Sequence, residues 1–294
     1  MTPATLAAIE AAITAARGRP FAAARHSFQG GGCINRGLAL VGADGERFFA
    51  KLNGADKLEM FEAEADGLRE LAEAGAIRVP LPLASGVGGG QAFLVLEWLE
   101  LGGRGRPELL GQQLATLHRH GRAEFGWWRD NHIGATPQHN SPLPDWIDFY
   151  RRRRLLPQLE RARDNAAPRR LAQQGERLLA RLEGFFPGYR PTPSLLHGDL
   201  WGGNHGYADG VPVLFDPAVY YGDREADLAM SELFGGYPAA FYAAYRQAWP
   251  LDPGYPARKQ LYNLYHVLNH FNLFGGGYAA QAEAMIGRLL AESA

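Results

Sequence analysis

Two short apolar runs around residues 195–216 each end in a carboxylate. The first run is followed by Asp199, with Asn204 five residues later, and the second run ends at Asp216. Phosphoryl transfer from Mg·ATP requires one carboxylate facing the attacking hydroxyl, and an amide oxygen with a second carboxylate to hold Mg²⁺. The Asp-to-Asn spacing is that of the kinase pattern H-R-D-x-x-x-x-N, with Gly198 in place of the arginine. We therefore predict that Asp199 is catalytic and that Asn204 and Asp216 bind the metal.

A lysine and a glutamate near the N-terminus fit the same chemistry. Lys51 lies between apolar residues on a predicted strand, and the segment that follows has the pattern of an amphipathic helix with Phe61 and Leu68 on its apolar side. Glu64 shares that side, whereas Glu62 is turned about 200° away from it at ~100° per residue. A lone lysine on such a strand more often faces solvent, but a carboxylate on a buried face requires a cation. We predict a Lys51–Glu64 pair that orients the lysine toward nucleotide phosphates.

Two Gly-rich segments complete the predicted nucleotide site. Gly30, Gly31 and Gly32 lie in a turn between predicted strands, where the backbone can approach a phosphate without a Cβ in the way. Gly-rich hairpins without a ligand are also common. The strand over residues 91–99 leads into the second Gly-rich segment, residues 102–105. This region has the position of a hinge whose backbone pairs with adenine, although an ordinary loop explains the pattern equally well. The hinge candidates are Glu97, Trp98 and Leu99.

From residue 107 onward the composition favours helices. The polar and aromatic loop over residues 125–146 suits a polyhydroxylated substrate, and packing between lobes is the alternative. His118 is predicted to be a packing histidine. His266 and His270 are four residues apart on one helical face, so they either pack or form a substrate wall. The candidate substrate contacts of the whole chain are Gln138, Asn140, Trp201, Asp223, Glu225 and His270.

Two charged segments are predicted to be structural. The four arginines of residues 151–154 spread over the whole circumference of a predicted helix, which favours a solvated helix with one or two salt bridges over an anion site. Asp227 follows a Gly-Asp-Arg-Glu cluster at the start of another helix. It is expected to cap that helix or to pair with His197 or with backbone amides of the catalytic loop.

Composition and cysteine content narrow the range of partners and locations. A net charge of −1 gives no reason to expect nucleic acid, and no apolar run approaches the ~20 residues that span a bilayer. The N-terminal segment lacks the pattern of a signal peptide, so a cytoplasmic protein without membrane association is expected. The single Cys33 excludes an internal disulfide framework. It is either a small buried residue or a reactive thiol that links two otherwise monomeric chains.

Taken together, these motifs resemble the fructosamine kinase (ketosamine-3-kinase) family, a branch of the aminoglycoside-phosphotransferase-like kinases. The tryptophan after His-Gly-Asp-Leu and the long run that follows Asp216 are specific to this branch, whereas His-Gly-Asp…Asn alone would also fit choline, homoserine or antibiotic kinases. Gly202 stands where the family commonly has serine, which removes no charge. The matching segments are residues 30–34, 49–53, 60–64, 197–204, 216–228 and 261–276.

The resemblance implies an α+β, two-lobed protein-kinase-like fold, with a small antiparallel-sheet N-lobe containing one key helix and a larger, mostly helical C-lobe. The expected parts are a nucleotide-binding lobe over residues 1–97, a hinge over 98–106, and a catalytic and substrate lobe over 107–294. ATP and Mg²⁺ are the implied cofactors.

The implied reaction is phosphorylation of the 3-hydroxyl of a ketosamine, either free or on a protein lysine, which leads to deglycation. Ribulosamine, erythrulosamine and fructosamine are the candidate acceptors. The alternatives are a related kinase that acts on another hydroxylated amine, of the aminoglycoside or choline type, and an ATP-binding pseudokinase.

Overall fold

A computed structural model describes residues 1–30, 34–102 and 104–292 of the protein. The chain divides into two compact units. The first contains residues 1–105 together with 206–216, and the second contains residues 106–205 and 217–294. Within the described residues, no helix is both long and apolar enough to cross a membrane.

The first unit is built on an antiparallel sheet with strand order β1-β2-β3-β5-β4. Helix α1 packs on one side of this sheet through Ile9 and Ile13, which have no exposed surface and join the core formed by apolar residues of β2, β3 and β5. The bounds are α1 Pro3–Arg17, β1 Ala23–Gln29, β2 Arg36–Gly42, β3 Arg47–Gly54, α2 Leu58–Glu73, β4 Pro82–Gly88 and β5 Gln91–Glu97.

Residues 206–216 belong to the first unit through backbone hydrogen bonds. They contain most of a hairpin made by strands His205–Ala208 and Val211–Leu214. The amide of Leu214 donates to the carbonyl of Arg78, and the amide of Gly102 donates to the carbonyl of Tyr207. Asp216, which follows the second strand, is thereby fixed to the same unit as Lys51.

The second unit is mostly helical. Its longest helix, α9, is buried along most of its length and packs against α5, α7 and α10. Short pairs of strands, Asn131–Ile133 with Thr136–Gln138 and Ser194–Leu196 with Tyr220–Gly222, supplement the helices. The helix bounds are α3 Pro107–Leu117, α4 Trp146–Tyr150, α5 Leu156–Asp164, α6 Arg169–Leu179, α7 Glu225–Leu233, α8 Ala239–Ala248, α9 Tyr255–Phe274 and α10 Tyr278–Glu292.

The sheet with one packed α2 helix and the helical second unit confirm the predicted α+β class. The amphipathic helix predicted after Lys51 is present as α2, and the helical face that carries His266 and His270 belongs to α9. In α9 the first turn carries Pro256, which fits the start of a helix because its missing N–H is not needed there.

Helices α3 and α8 approach each other closely at Gly111. A Cβ at this position would lie 2.3 Å from the carbonyl oxygen of Phe241 and 3.1 Å from the amide nitrogen of Tyr245. Gly287 in α10 has nothing within 4 Å of the corresponding point. The two helical glycines therefore differ in their reason for being glycine.

We predict opposite effects of alanine at these two positions. Gly287→Ala should stabilise the protein by about 0.5–1 kcal/mol, since alanine is the better helix former. Gly111→Ala should lower the free energy of unfolding, by about 1–3 kcal/mol, because backbone atoms of α8 must move. Urea unfolding followed by circular dichroism measures both. Equal stabilisation by both substitutions would contradict the close approach of α3 to α8.

Candidate active site

Lys51 lies in the middle of β3 and is held between two carboxylates. β3 is a central strand with β2 and β5 on its two sides, and Lys51 is only 6% exposed. Its Nζ lies 2.5 Å from Oε1 of Glu64 and 2.6 Å from Oδ1 of Asp216. The predicted Lys51–Glu64 pair is confirmed, and Glu62 is exposed as expected. The sequence predicts Asp216 only as a metal ligand, so its contact with Lys51 is an additional finding of the structure.

The two carboxylates determine the charge of Lys51. Burial by itself would lower the pKa of Lys51, but the negative charges of Asp216 and Glu64 outweigh it and raise the pKa above its ordinary value. The lysine is therefore a fixed positive charge throughout the physiological pH range. Glu64 reaches it from α2, where Phe61 and Leu68 on the same face have no exposed surface.

Asp216 has an unusual backbone conformation for a residue other than glycine. Its φ is +57°, in the left-handed region, and its side chain is 46% exposed. This conformation costs of the order of 1 kcal/mol for an L-residue and clusters at functional sites. Here it turns a carboxylate at the end of a strand back onto Lys51.

The predicted catalytic loop, residues 197–204 of the second unit and called the catalytic loop below, brings Asp199 and Asn204 together. The side-chain amide of Asn204 donates to the backbone carbonyl of Asp199 at 2.9 Å and to its carboxylate Oδ2 at 3.0 Å. Residues 202–204 form a single turn of 3₁₀ helix, which brings the asparagine back toward the aspartate. Gly198 has a φ of +82°, and a Cβ there would lie 2.0 Å from the carbonyl oxygen of Ala218. The position occupied by arginine in the kinase pattern therefore accepts only glycine in this loop.

Asp227, in the first turn of α7, stabilises the catalytic loop by accepting hydrogen bonds from its backbone amides. Its Oδ2 accepts from the backbone amide of His197 at 2.7 Å, and its Oδ1 accepts from that of Gly198 at 2.9 Å. The prediction that Asp227 pairs with backbone amides of this loop is confirmed. The same carboxylate lies 3.2 Å from Nε2 of His118, whose Nδ1 lies 2.8 Å from the hydroxyl of Tyr245.

The pKa values of Asp227 and His118 are set by burial and by neighbouring groups rather than by contact with solvent. Burial would raise the pKa of Asp227, but the hydrogen bonds from His118 and from the loop amides lower it below its usual value. Burial lowers the pKa of His118. His118 is thus a fully buried histidine that packs against the helices, as predicted, and it also orients the loop-supporting carboxylate.

Comparison with known proteins fits this arrangement. The family model for fructosamine kinase matches residues 5–292. A probable ketoamine kinase of Synechocystis sp. is 48% identical over 299 residues, covering 98% of each chain. A chloroplastic protein-ribulosamine 3-kinase of Arabidopsis thaliana is 43% identical over 262 residues, covering 87% of this chain and 80% of that protein. The chain belongs to the fructosamine kinase family.

Solved structures agree with that membership. A Thermobifida fusca structure assigned to fructosamine-3-kinase superposes with a TM-score of 0.85 at 33% identity, covering 96% of this chain and 98% of that one. A macrolide 2′-phosphotransferase reaches a TM-score of 0.63 at 17% identity, covering 97% and 98% of the two chains. The second likeness shows the fold alone, and it confirms the protein-kinase-like fold class. Use of ATP follows from membership of a kinase family.

Two residues that were predicted to contact the substrate of this kinase, Asp223 and Glu225, have partners inside the protein instead. Asp223 is 1% exposed and accepts from the hydroxyls of Tyr189 at 2.9 Å and Tyr262 at 2.5 Å. Glu225 has no exposed surface and forms a two-contact ion pair with Arg258, at 2.7 and 3.2 Å. Asp223, two residues before α7, and Glu225, the first residue of α7, therefore connect this region to α9 rather than face a ligand. The partners lie 33 to 39 residues away along the chain, so no local pattern indicates them.

Gln138 and Asn140 are likewise part of an internal network. Both donate to the side-chain oxygen of Asn131 at 2.8 Å, and both are almost fully buried. Arg154, which has no exposed surface, donates to Asn140 at 2.8 Å and stacks 3.9 Å from the ring centre of Tyr220. The polar loop over residues 125–146 is thus a packing element at these two positions.

The prediction of a solvated helix over residues 151–154 is wrong for Arg154. The segment Arg151–Leu155 is a π-helical stretch between α4 and α5, which changes the faces that the four arginines occupy. Arg151 does form the expected salt bridges, with Asp148 at 2.8 Å and Glu183 at 2.5 Å. Arg154 instead points inward, where its guanidinium group lies over an aromatic ring and donates to a backbone carbonyl.

The remaining predicted site residues have surface in contact with solvent. Trp201 is 37% exposed, and His270 is half-buried on α9. Gly30 is exposed at the end of β1, while Gly31, Gly32 and Cys33 lie outside the described residues. The hinge candidates Glu97, Trp98 and Leu99, at the end of β5, are half-buried. Their roles toward nucleotide and substrate stay predictions.

We predict that Asp227→Asn weakens the catalytic loop more than the fold. An amide has one acceptor oxygen, so one of the two loop amides loses its partner at a cost of about 1–3 kcal/mol. The melting temperature should fall, and kcat should fall with a smaller change in the KM for ATP. Ser231→Ala, in the same helix, serves as the control for a general loss of α7 stability. An unchanged kcat in Asp227→Asn would contradict the supporting role.

We predict an acid-dependent stability term from His266. Burial lowers its pKa from 6.5 to about 3, so the folded protein holds it neutral while the unfolded chain binds a proton below pH 6.5. Its contribution is therefore present above pH 6.5 and is lost as pH falls toward 3, at about 1.4 kcal/mol per pH unit. His266→Gln should flatten the pH dependence of the urea-unfolding free energy below pH 6 by that slope, and Asn263→Gln, a buried change in the same helix that removes no titratable group, should not. Equal slopes in all three proteins would contradict the assignment.

Proposed function

We propose that the protein transfers the γ-phosphoryl group of ATP to the 3-hydroxyl of a ribulosamine-type ketosamine. The observation that carries the proposal is the hydrogen bond that sets Asn204 on the carboxylate of Asp199, because it joins the candidate base and the candidate metal ligand in one loop. The choice of acceptor is supported by the curated relatives, which are named ketoamine kinases and protein-ribulosamine 3-kinases at 42–48% identity.

Lys51 has the position and charge to bind phosphate oxygens. It is buried, permanently protonated and already aligned by two carboxylates, so little reorganisation is needed when a nucleotide binds. Glu64 keeps the ammonium group in place, and Asp216 is the partner that phosphates and metal would compete for. We assign nucleotide binding to residues 1–97, with residues 98–106 as the hinge whose backbone pairs with adenine.

The side-chain oxygen atoms of Asn204 and Asp216 suit Mg²⁺ as ligands. Carboxylate and amide oxygens are its preferred protein ligands, and it normally takes only one or two side chains together with phosphate oxygens and water. This agrees with the described residues, in which no cluster of three or more histidine, cysteine, aspartate or glutamate side chains could hold a metal. The side-chain amide nitrogen of Asn204 donates to Asp199, and we assign its side-chain oxygen to the metal. When bound, ATP would supply the phosphoryl group, and Mg²⁺ would neutralise the negative charge that develops on it.

Asp199 orients the acceptor and takes its proton. The hydrogen bond from Asn204 selects one rotamer of the carboxylate, and Asp227 fixes the backbone on which it stands. Positioning and charge neutralisation then supply most of the rate. Trp201, two residues further along the loop, and His270 on α9 are the predicted contacts to the acceptor. The acceptor sugar is carried either by a small amine or by a protein lysine.

We predict that Asp199→Asn abolishes phosphoryl transfer without abolishing nucleotide binding. Loss of the base should lower kcat by about 10²–10⁴-fold, as for other general bases. ADP release measured with N-ribulosyl-lysine gives the rate, and fluorescence of a labelled ATP analogue gives binding. Glu62→Gln, an exposed change beside Glu64, is the matched control and should retain full activity.

A panel of acceptors tests the substrate class. Ribulosamine adducts should be phosphorylated at least tenfold faster, in kcat/KM, than choline or an aminoglycoside. Near-normal turnover by Asp199→Asn would overturn the mechanism, and preference for choline or an aminoglycoside would overturn the acceptor assignment. Absence of Mg²⁺-dependent ADP release with every acceptor would favour a protein that only binds nucleotide.

A further inference from the structure

The turn that carries Asn204 contains two consecutive glycines. Residues 202–204 form a single 3₁₀ turn, and the backbone amide of Asn204 donates to the carbonyl of Trp201 at 3.0 Å. Glycine restricts the backbone less than any other residue, so such a turn loses more conformational entropy when it is ordered. Among the described residues, nothing lies within 4 Å of the point where a Cβ on Gly202 would be, and its backbone is not in the left-handed region. The turn therefore gains no rigidity from side-chain packing at Gly202.

A second donor reaches the carbonyl group that starts this turn. The hydroxyl of Tyr237 donates to the carbonyl of Trp201 at 3.0 Å. This carbonyl already accepts from the backbone amide of Asn204, so it would keep a hydrogen-bond partner without the tyrosine. Two donors on one carbonyl fix the direction of the Trp201 peptide group, from which the turn begins. The effect of the tyrosine hydroxyl is therefore on the orientation of the turn.

His205 holds the same turn through the next carbonyl group. Its Nδ1–H donates to the carbonyl of Gly202 at 3.2 Å, and its ring centre lies 4.7 Å from that of Tyr237. The two rings are inclined by 62°, an edge-to-face arrangement that stabilises aromatic pairs. Two neighbouring carbonyls, of Trp201 and Gly202, thus accept from side chains that pack against each other. These hydrogen bonds supply the restraint that the glycines of the turn do not.

Tyr237 is itself fixed by helices α7 and α8. It is 8% exposed, and its ring centre lies 4.7 Å from that of Phe241 in α8. Its backbone amide donates to the hydroxyl of Tyr242 at 3.0 Å, and that hydroxyl donates to the carbonyl of Ser231 in α7 at 3.1 Å. Tyr237 is therefore anchored to the helix that also carries Asp227.

We propose that Tyr237 is a positioning residue for the candidate metal ligand Asn204. The inference rests on the proposed function, since that function assigns the side-chain oxygen of Asn204 to Mg²⁺. Tyr237 fixes the carbonyl to which the backbone of Asn204 is bonded, and this limits the positions that the side-chain oxygen can occupy. Replacing a residue that orients a metal ligand commonly weakens metal affinity by about 10–100-fold. We expect the lower end of that range, because Tyr237 acts on the backbone of the ligand rather than on its oxygen atom.

The test removes the hydroxyl of Tyr237 and then restores rigidity at Gly202. Tyr237→Phe should speed hydrogen exchange of the Asn204 backbone amide, followed by NMR, by about fivefold, the effect of one net hydrogen bond. It should also weaken the binding of Mn²⁺, which accepts the oxygen ligands of Mg²⁺, by about tenfold. Electron paramagnetic resonance with a non-hydrolysable ATP analogue measures that binding without turnover. Adding Gly202→Ala to Tyr237→Phe should recover about two- to fivefold of both losses, because alanine restricts the backbone.

Tyr255→Phe is the matched control for the loss of a buried tyrosine hydroxyl. Tyr255 is 6% exposed, and its hydroxyl donates to Oε1 of Glu232 at 2.7 Å rather than to the catalytic loop. This variant should lose stability while the exchange rate of the Asn204 amide and the affinity for Mn²⁺ stay at the native values. A purely structural role of Tyr237 predicts the same behaviour for both tyrosine variants.

Three results would overturn the positioning role of Tyr237. They are an unchanged exchange rate of the Asn204 amide in Tyr237→Phe, an equal acceleration in Tyr255→Phe, and no recovery when Gly202→Ala is added. Asn204→Ala separates this inference from the proposed function. Loss of Mn²⁺ binding in Asn204→Ala, together with native affinity in Tyr237→Phe, would refute the inference alone. Native Mn²⁺ affinity in Asn204→Ala would instead refute the metal assignment on which both depend.

Discussion

The catalytic loop depends on one buried carboxylate. Asp227 accepts from two consecutive backbone amides of the loop, and a buried histidine holds it from the other side. A buried carboxylate is stable only when its acceptor positions are filled, so the loop amides and the aspartate stabilise each other. The backbone of His197 and Gly198 is fixed in this way, and the position of Asp199 follows from it.

The second fixed point is Lys51 with its two carboxylates. An unpaired buried lysine would lose its proton, whereas this one is held charged by Glu64 from a helix and by Asp216 from a strand end. Asp227 and Lys51 are stabilised in the same way, because each is a buried charge held by several partners. They differ in the sign of the charge. Lys51 is a buried cation between two carboxylates, and Asp227 is a buried anion that fixes the backbone of the loop carrying Asp199.

The sequence predicted the parts of the site that lie on regular elements. Helical spacing was enough to select Glu64 over Glu62, because the buried face of α2 admits one of them only. Helical spacing could not predict contacts between residues that are far apart in sequence. Asp223 is an example, because its donors Tyr189 and Tyr262 lie 34 and 39 residues away. Helical spacing also failed at Arg154, since the π-helical stretch shifts the helical faces and a period of 3.6 residues no longer applies.

The path of the chain between the units limits how this protein can change as a whole. Residues 206–216 return to the first unit after the chain has already formed part of the second. A fragment that ended at residue 105 would keep the sheet and α2, yet Lys51 would have Glu64 alone for a partner. A single junction after residue 105 therefore cannot transfer Lys51 together with both of its carboxylate partners to another protein. Lys51 thus gains its second carboxylate only from a segment that follows part of the second unit along the chain.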